Sequence, residues 1–291
     1  MIKFDSRRGR EMEATVANRV RKSLTADCSA CFGLCCTALN IIASSDFAMD
    51  KPAGTPCTYL QEDFKCHIHK DLRKSGFKGC TVYDCLGAGQ KVSQDTFKGY
   101  SWRENPTDAK QMFEVFPVME QLYEMIAFIS EALTYEISKD LRMELTGQLE
   151  HLQSLIELDA RNLVSLNMAA CRLPVNEVLL KTSEVVRSNL SRNVFSIRMG
   201  RQYRGMDLIG RSLKGKDLRT ADFRGALLIK ADLRGTDLRG ADFIGADLRD
   251  ANLCGANLTT SMFLTQMQIN SASGNNKTLL PSYIQRPSHW F

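Results

Sequence analysis

Between residues 105 and 200 apolar side chains recur every three or four positions, the spacing that places them on one face of a helix. Asn105-Pro106-Thr107-Asp108 is a helix start, and Met112, Phe116, Met119, Tyr123 and Ile126 follow it as one buried stripe. Pro117 falls inside that stripe and predicts a kink or an interruption, because its ring clashes with the preceding turn and it brings no amide to the ladder. A second segment carries Leu141, Leu145, Leu149, Leu152, Ile156, Leu163 and Leu166 on much the same spacing. A third opens after Pro174 with Val175, Val178, Leu179, Val185 and Leu190. Three such stripes bury one another, which predicts a small helical bundle over 91–200. The Met and Phe side chains from 112 to 128 read as its core rather than as the lining of a cofactor pocket.

After residue 200 the period changes to five. Leu208, Leu213, Leu218, Phe223, Leu228, Leu233, Leu238, Phe243, Leu248, Leu253, Leu258 and Phe263 are twelve consecutive centres without a miss. Two residues before them stand Ala221, Ala226, Ala231, Ala241, Ala246, Ala251 and Ala256, with Thr236 and Ser261 as small substitutes. A strict five fits neither the 3.6 of a helix nor the 2 of a strand, so the chain must turn once per pentapeptide and stack coil upon coil. Phe223, Phe243 and Phe263 lie twenty residues apart and predict one aromatic column, hence four pentapeptides, or four sides, per coil.

The pattern from Met206 to about Leu264 resembles the pentapeptide repeat family, which implies a right-handed quadrilateral β-helix. Twelve repeats make three coils, a stub only about 15 Å tall at the strand spacing of a sheet. Asp precedes many centres (Asp217, Asp222, Asp232, Asp237, Asp242, Asp247) and Arg or Lys follows many (Lys214, Arg219, Arg224, Arg234, Arg239, Arg249), which reads as a mutually neutralising surface. Family members that inhibit type II topoisomerases imitate duplex DNA as long acidic rods. Residues 201–263 instead carry eleven basic and eight acidic side chains on a short stub, which argues against that role. Ile209, Ile229 and Leu227 fall on outward positions and mark a docking face, first for the chain's own helices and second for a separate partner. Open β-helix ends need covers. The helix before Arg201 is expected at one end, and the tail ending Arg286-Pro287-Ser288-His289-Trp290-Phe291 at the other, with His289 and Trp290 as capping contacts.

Composition changes the picture at the other end of the chain. The 291 residues carry ten cysteines, and eight of them fall between Cys28 and Cys85. The lead-in has no continuous apolar run for a secretory signal, and no stretch approaches a spanning helix, so a soluble, cytoplasmic protein is expected. A reducing compartment disfavours structural disulfides and leaves metal binding or thiol chemistry as the use for such a cluster. The net charge of +5 is modest. Arg7, Arg8, Arg10, Arg19, Arg21 and Lys22 are interleaved with acidic residues and lack an aromatic platform, so nucleic acid is not the expected partner.

The cysteine pattern is Cys28-x2-Cys31-x3-Cys35-Cys36, then Cys57-x8-Cys66-His67-Ile68-His69, then Cys80-x4-Cys85. Thiolates and imidazoles suit zinc, and thiolates suit iron–sulfur clusters. On a helix Cys28, Cys31 and Cys35 share a face while Cys36 points about 100° away, so either Cys36 serves a second metal or the backbone there is not helical. Between residues 28 and 90 apolar periodicity is thin, and metal binding coupled to folding would offset that lack. Gly76 reads as the stop of a short helix that begins near His69. Cys171, Cys254 and His151 read as packed or solvated side chains.

The segment Cys57-Thr58-Tyr59-Leu60, followed by Cys66-x-Ile68-His69 and Cys80, resembles the cysteine-cluster domains that chelate zinc or iron. The opening here is CxxCxxxCC where that family's usual opening is a CxxxCxxCC-like run. The resemblance implies Cys28, Cys31, Cys35, Cys36, Cys57, Cys66, Cys80 and Cys85 as ligands, with His67 and His69 next. It also brings in flagellin lysine N-methylases thought to use an iron–sulfur cluster.

The expected protein is an α+β multidomain chain with a charged segment (1–27), a Cys-rich metal-binding module (28–90), a helical domain (91–200), a three-coil β-helix (201–265) and a C-terminal cap (266–291). Its expected role is an interaction scaffold holding zinc or an iron–sulfur cluster, with a protein partner on the β-helix or the helical domain. The alternative is a metalloenzyme or redox protein using the Cys/His cluster.

Overall fold

The computed structural model describes residues 20–21, 23–193 and 202–290. Arg7, Arg8, Arg10, Arg19 and Lys22, and residues 194–201, part of the segment before the repeat expected to shield one end of the β-helix, lie outside the described residues. The helices are α1 (Leu34–Thr37), α2 (Lys78–Val82), α3 (Ala88–Gln90), α4 (Pro106–Ala132), α5 (Lys139–Leu155), α6 (Ala160–Val164), α7 (Met168–Asn193) and α8 (Gln266–Ser271).

The chain divides into two units, one through Leu179 and one from Leu180, rather than at the expected boundaries of 90 and 200. The cysteine-rich segment and the helices share the first unit because α1 and α3 pack directly on α4. A segment with little apolar surface of its own is thereby given a core.

α4 is the centre of that unit, with α5 and α6 also against it. It begins as expected, with Pro106 in the first turn after Asn105. Pro117 neither breaks nor ends it: the helix continues to Ala132. Met112, Val115, Phe116, Met119, Leu122, Met125, Ile126 and Ile129 are all buried. Burial of side chains of this kind stabilises by roughly 1.5–3 kcal/mol each, which together exceeds the roughly 3 kcal/mol cost of an interior proline. The same holds for α7, which starts at Met168 and carries Pro174 inside it instead of opening after it. The leucine-rich segment is split at residues 156–159, where Asp159 caps α6 by accepting a hydrogen bond from the Asn162 amide at 2.9 Å.

In the second unit the five-residue period builds a coil. Parallel bridges join residues twenty apart: Gln202 to Asp222, Asp222 to Asp242, and Asp242 to Met262, which is three coils along one corner. No extended strand forms among the described residues. Turning every fifth residue leaves only one bridging residue per side, so pairing takes the form of isolated bridges. The turn residue is left-handed at every fifth position from Gly205 to Gly255, which suits Gly225 (φ +65°) and strains Thr220 (φ +56°) and Lys230 (φ +56°). The interior holds the expected centres, all buried. Tyr203 extends the aromatic column by one layer: its ring stacks on Phe223 at 5.0 Å, and Phe223 on Phe243 at 5.3 Å.

The tail adds to the last coil. Ser273 pairs with Asn252 and Leu279 with Asn257. Trp290, 7% exposed, donates from its indole nitrogen to the Ala272 carbonyl at 3.0 Å, and His289 approaches the same carbonyl at 3.3 Å.

The surface charges pair locally. Arg219, Arg234, Arg239 and Arg249 each donate to the aspartate two residues earlier at 2.6–2.7 Å. One corner is different, because the part of α7 beyond Leu180 lies on it. Arg187 donates to the Thr220 carbonyl at 2.8 Å and faces Asp222 at 3.3 Å, both charges buried. Leu190 approaches Gly240 so closely that a Cβ there would lie 2.5 Å from it. Within the second unit, this part of α7 leaves Ile209 and Leu227 47% and 40% exposed, so it does not occupy the expected docking face. The helix is held instead where Arg187 finds a buried carboxylate.

Candidate metal centre

Asp27 caps a 3-10 turn over Cys28–Ala30 that ends at the extended Cys31, and Gly33, at φ +65°, opens α1. The backbone from Cys28 to Cys36 is therefore two short turns rather than one helix. α1 carries Cys35 and Cys36 with their sulfurs 3.9 Å apart.

Three long-range hydrogen bonds fasten the first turn to the segment after Cys85. The Asp27 amide donates to Gln90 at 2.9 Å, the Phe32 amide to the Ser93 hydroxyl at 3.1 Å, and Gln94 to the Ala30 carbonyl at 2.8 Å. Cys85 itself ends one turn before α3, its carbonyl accepting from the Ala88 amide at 2.9 Å. Gly89 of α3 faces both sulfurs, since a Cβ there would lie 2.7 Å from Cys31 Sγ and 3.8 Å from Cys85 Sγ.

The other cysteines gather on a different set of loops. The Cys57 amide donates to the Cys36 carbonyl at 2.9 Å. A tight hairpin bridges Leu60 to Cys66, and Tyr59 at its start packs edge-on against Phe77 at 5.4 Å. Phe77 precedes α2, which carries Cys80.

Lys51 lies beside this second group and is 2% exposed. Its ammonium donates to four carbonyls, those of Thr37 at 3.1 Å, Leu39 at 2.5 Å, Pro52 at 3.2 Å and Thr55 at 3.0 Å. Burial pulls its pKa down, and negative charge on Cys57, Cys36 and Cys35 would push it back up.

The thiols carry the reciprocal signature. Burial raises Cys80 to about 12, reinforced by charge on Cys36, Cys57 and Cys66. Burial likewise raises Cys66, with Cys36 and Cys57 adding to it, and raises Cys57, with Cys36 adding and Lys51 opposing. In the first group burial raises Cys28, with Cys85, Cys31 and Cys36 adding, and raises Cys31 with Cys85 adding. The hydrogen bond between Cys35 and Cys36 holds the Cys35 thiol well up and the Cys36 thiol down. Eight thiols thus crowd a region in which forming one thiolate makes the next harder to form.

Soft divalent cations take thiolate sets of this kind, and the donor chemistry fits zinc or an iron–sulfur cluster. Among the described residues no three His, Cys, Asp or Glu side chains are already gathered so as to hold a metal ion. The sulfurs are neighbours, but as placed they do not converge. His67 and His69 are exposed. His151 is exposed, and Cys171 and Cys254 are half-buried. Sequence reasoning missed Lys51 and Gly89. A lysine gives no signal that it will be buried, and a glycine in a Gly-rich stretch gives none that a sulfur will rest against it.

No described helix is long and apolar enough to cross a membrane. Residues 205–240 and 221–259 match the family described as pentapeptide repeats, with eight copies. The chain is 55% identical over 278 residues to a Bacillus subtilis (strain 168) protein described as "Uncharacterized protein YybG", covering 96% of this chain and 99% of that one. Two solved pentapeptide repeat proteins are similar over the repeat. One, from the Arabidopsis thaliana thylakoid lumen, is 37% identical over 26% of this chain and 48% of its own, with a TM-score of 0.22. The other, Rfr23 from the cyanobacterium Cyanothece 51142, is 29% identical over 27% and 53%, with a TM-score of 0.25. The chain spans about half the length of each. With the coil and its repeats so matched, the chain is a pentapeptide repeat protein belonging to the same family as Bacillus subtilis YybG.

Proposed function

We propose that the protein is a metal-stabilised interaction scaffold of the reducing cytoplasm: its cysteine-rich segment holds zinc or an iron–sulfur cluster, and its β-helix presents a surface to a protein partner. The observation that carries the reading is the crowding of thiols, with Cys80 raised to about 12 by burial and by charge on Cys36, Cys57 and Cys66, and with a buried lysine beside Cys57, Cys36 and Cys35 whose ammonium donates to four carbonyls. A bound cation would supply the countercharge those sulfurs lack. All ten cysteines are free, which accords with a reducing compartment. For the partner, Met206 and Ile209 on the first coil and Leu227 on the second are exposed, 45%, 47% and 40% respectively, and offer an apolar patch, the Leu227 amide donating to the Met206 carbonyl at 2.9 Å.

The test is elemental analysis of full-length protein purified without oxygen, followed by a melt with and without a strong chelator. Stoichiometric zinc, or iron with inorganic sulfide, and a melting temperature lowered by chelation are expected. Metal-free protein that folds and melts identically in chelator would overturn the reading.

A further inference from the structure

We propose that the eight cysteines form two adjoining four-sulfur centres: an outer one of Cys28, Cys31, Cys35 and Cys85, and an inner one of Cys36, Cys57, Cys66 and Cys80, with Lys51 as the fixed cation of the inner one. This rests on the metal-binding reading above and specifies how many centres there are and which sulfurs serve each.

The partition follows from which loops the fold brings together. Cys28 and Cys31 belong to a turn tied by Gln90, Ser93 and Gln94 to the segment that Cys85 begins, and Gly89 abuts both Cys31 and Cys85. Cys57, Cys66 and Cys80 belong to the hairpin and α2, joined through Tyr59 and Phe77, and the Cys57 amide reaches back to Cys36. The two groups meet at the consecutive Cys35 and Cys36, whose sulfurs are 3.9 Å apart. Eight thiolates exceed the four that zinc or an iron–sulfur cluster takes from a protein, and this fold divides them four and four.

Lys51 separates the two centres chemically. Four thiolates and one zinc ion leave two negative charges, which a buried site must balance. The carbonyl cage fixes the ammonium where Cys57 and Cys36 of the inner set are its first anionic neighbours, with Cys35 at the junction of the two sets after them. Lys51 is thus a positioning residue, acting on the inner centre through charge.

The experiment is reconstitution of the full-length, metal-stripped protein with Zn²⁺, and in parallel with ¹¹³Cd²⁺, under reducing conditions. Two equivalents of zinc per chain are expected, with two cadmium resonances in the range of four-sulfur coordination. Cys85→Ser should retain one equivalent and one resonance, Cys80→Ser should retain the other, and Lys51→Met should weaken the inner site about tenfold while leaving the outer resonance in place, with Lys51→Arg restoring it. One equivalent in the wild type, abolished by either cysteine variant, would overturn the partition and leave the metal-binding reading standing. No bound metal would overturn both. Should the variants misfold, the wild-type count and number of resonances still decide between one centre and two. If iron and inorganic sulfide accompany anaerobic protein, the same partition requires two clusters per chain, and a single cluster refutes it.

Discussion

Substituting Gly89 by alanine sets two effects of opposite sign against each other. Alanine in place of a helical glycine ordinarily stabilises by about 1 kcal/mol. Here the added methyl would sit 2.7 Å from Cys31 Sγ, about 1 Å closer than carbon and sulfur tolerate, in a buried site. Overpacking of that kind costs roughly 1–3 kcal/mol, so a net loss of about 0–2 kcal/mol is expected. The consequence for metal is larger than for stability. The methyl would press on Cys31 Sγ and lie 3.8 Å from Cys85 Sγ, so it takes up space beside both sulfurs. Metal–ligand distances tolerate only about 0.2 Å, one fifth of the displacement the clash demands. Gly89→Ala should therefore lose the outer zinc and keep the inner, read by metal content and thermal denaturation of the same sample. A variant that melts higher than wild type and binds its full zinc would show that neither the contact nor the outer centre is as described.

Phe243→Ala removes a fully buried ring stacked on Phe223 at 5.3 Å, and should cost about 3–5 kcal/mol in urea denaturation followed through the second unit; a loss under about 1 kcal/mol would mean the column is not the core. Glu120, bonded to the Tyr83 hydroxyl, is pushed up to about 7 by burial and then by the Glu124 charge. Its folded pKa lies above its unfolded one, so the stability it contributes is complete below about pH 4.3 and is lost as pH rises towards 7. Glu120→Gln should accordingly leave stability unchanged at pH 4 and raise it at pH 8, by up to roughly 3 kcal/mol; equal melting of the two proteins at pH 8 would refute the burial of that carboxyl.

The coil was legible because its period is independent of context. A chain that repeats every five residues, with Phe223, Phe243 and Phe263 twenty apart, specifies both its corner and its coil length before any tertiary contact is known. The prolines were misread for the opposite reason. Pro117 is judged locally as a breaker, yet Phe116 and Met119 beside it are buried, and tertiary packing outweighs the lost backbone bond. The docking face was misplaced because Arg187 and Asp222 each look like ordinary surface charges until α7 buries them together. Cysteine spacing showed that a cluster exists but not how it divides. Cys85 is brought to Cys31 by side-chain-to-backbone bonds such as Gln94 to Ala30, which link residues 64 apart and leave no periodic trace.

On the proposed partition the two centres are nested along the chain, and this gives them unequal parts in folding. The inner set runs from Cys36 to Cys80, whereas the outer set closes from Cys35 to Cys85 and encloses every inner ligand. Loop-closure entropy grows only with the logarithm of length, so the longer outer loop costs little more to close than the inner loops once these are formed. What differs is what each closure fastens. The inner centre ties together short loops, which contain their own hairpin and the Lys51 cage. The outer centre instead joins that assembly's first turn to α3, which packs on α4 and so on the apolar core of the unit. Metal at the inner site would make the segment a folded object, and metal at the outer site would attach that object to the helices, which is why removal of the outer ion alone should loosen the segment without unfolding it.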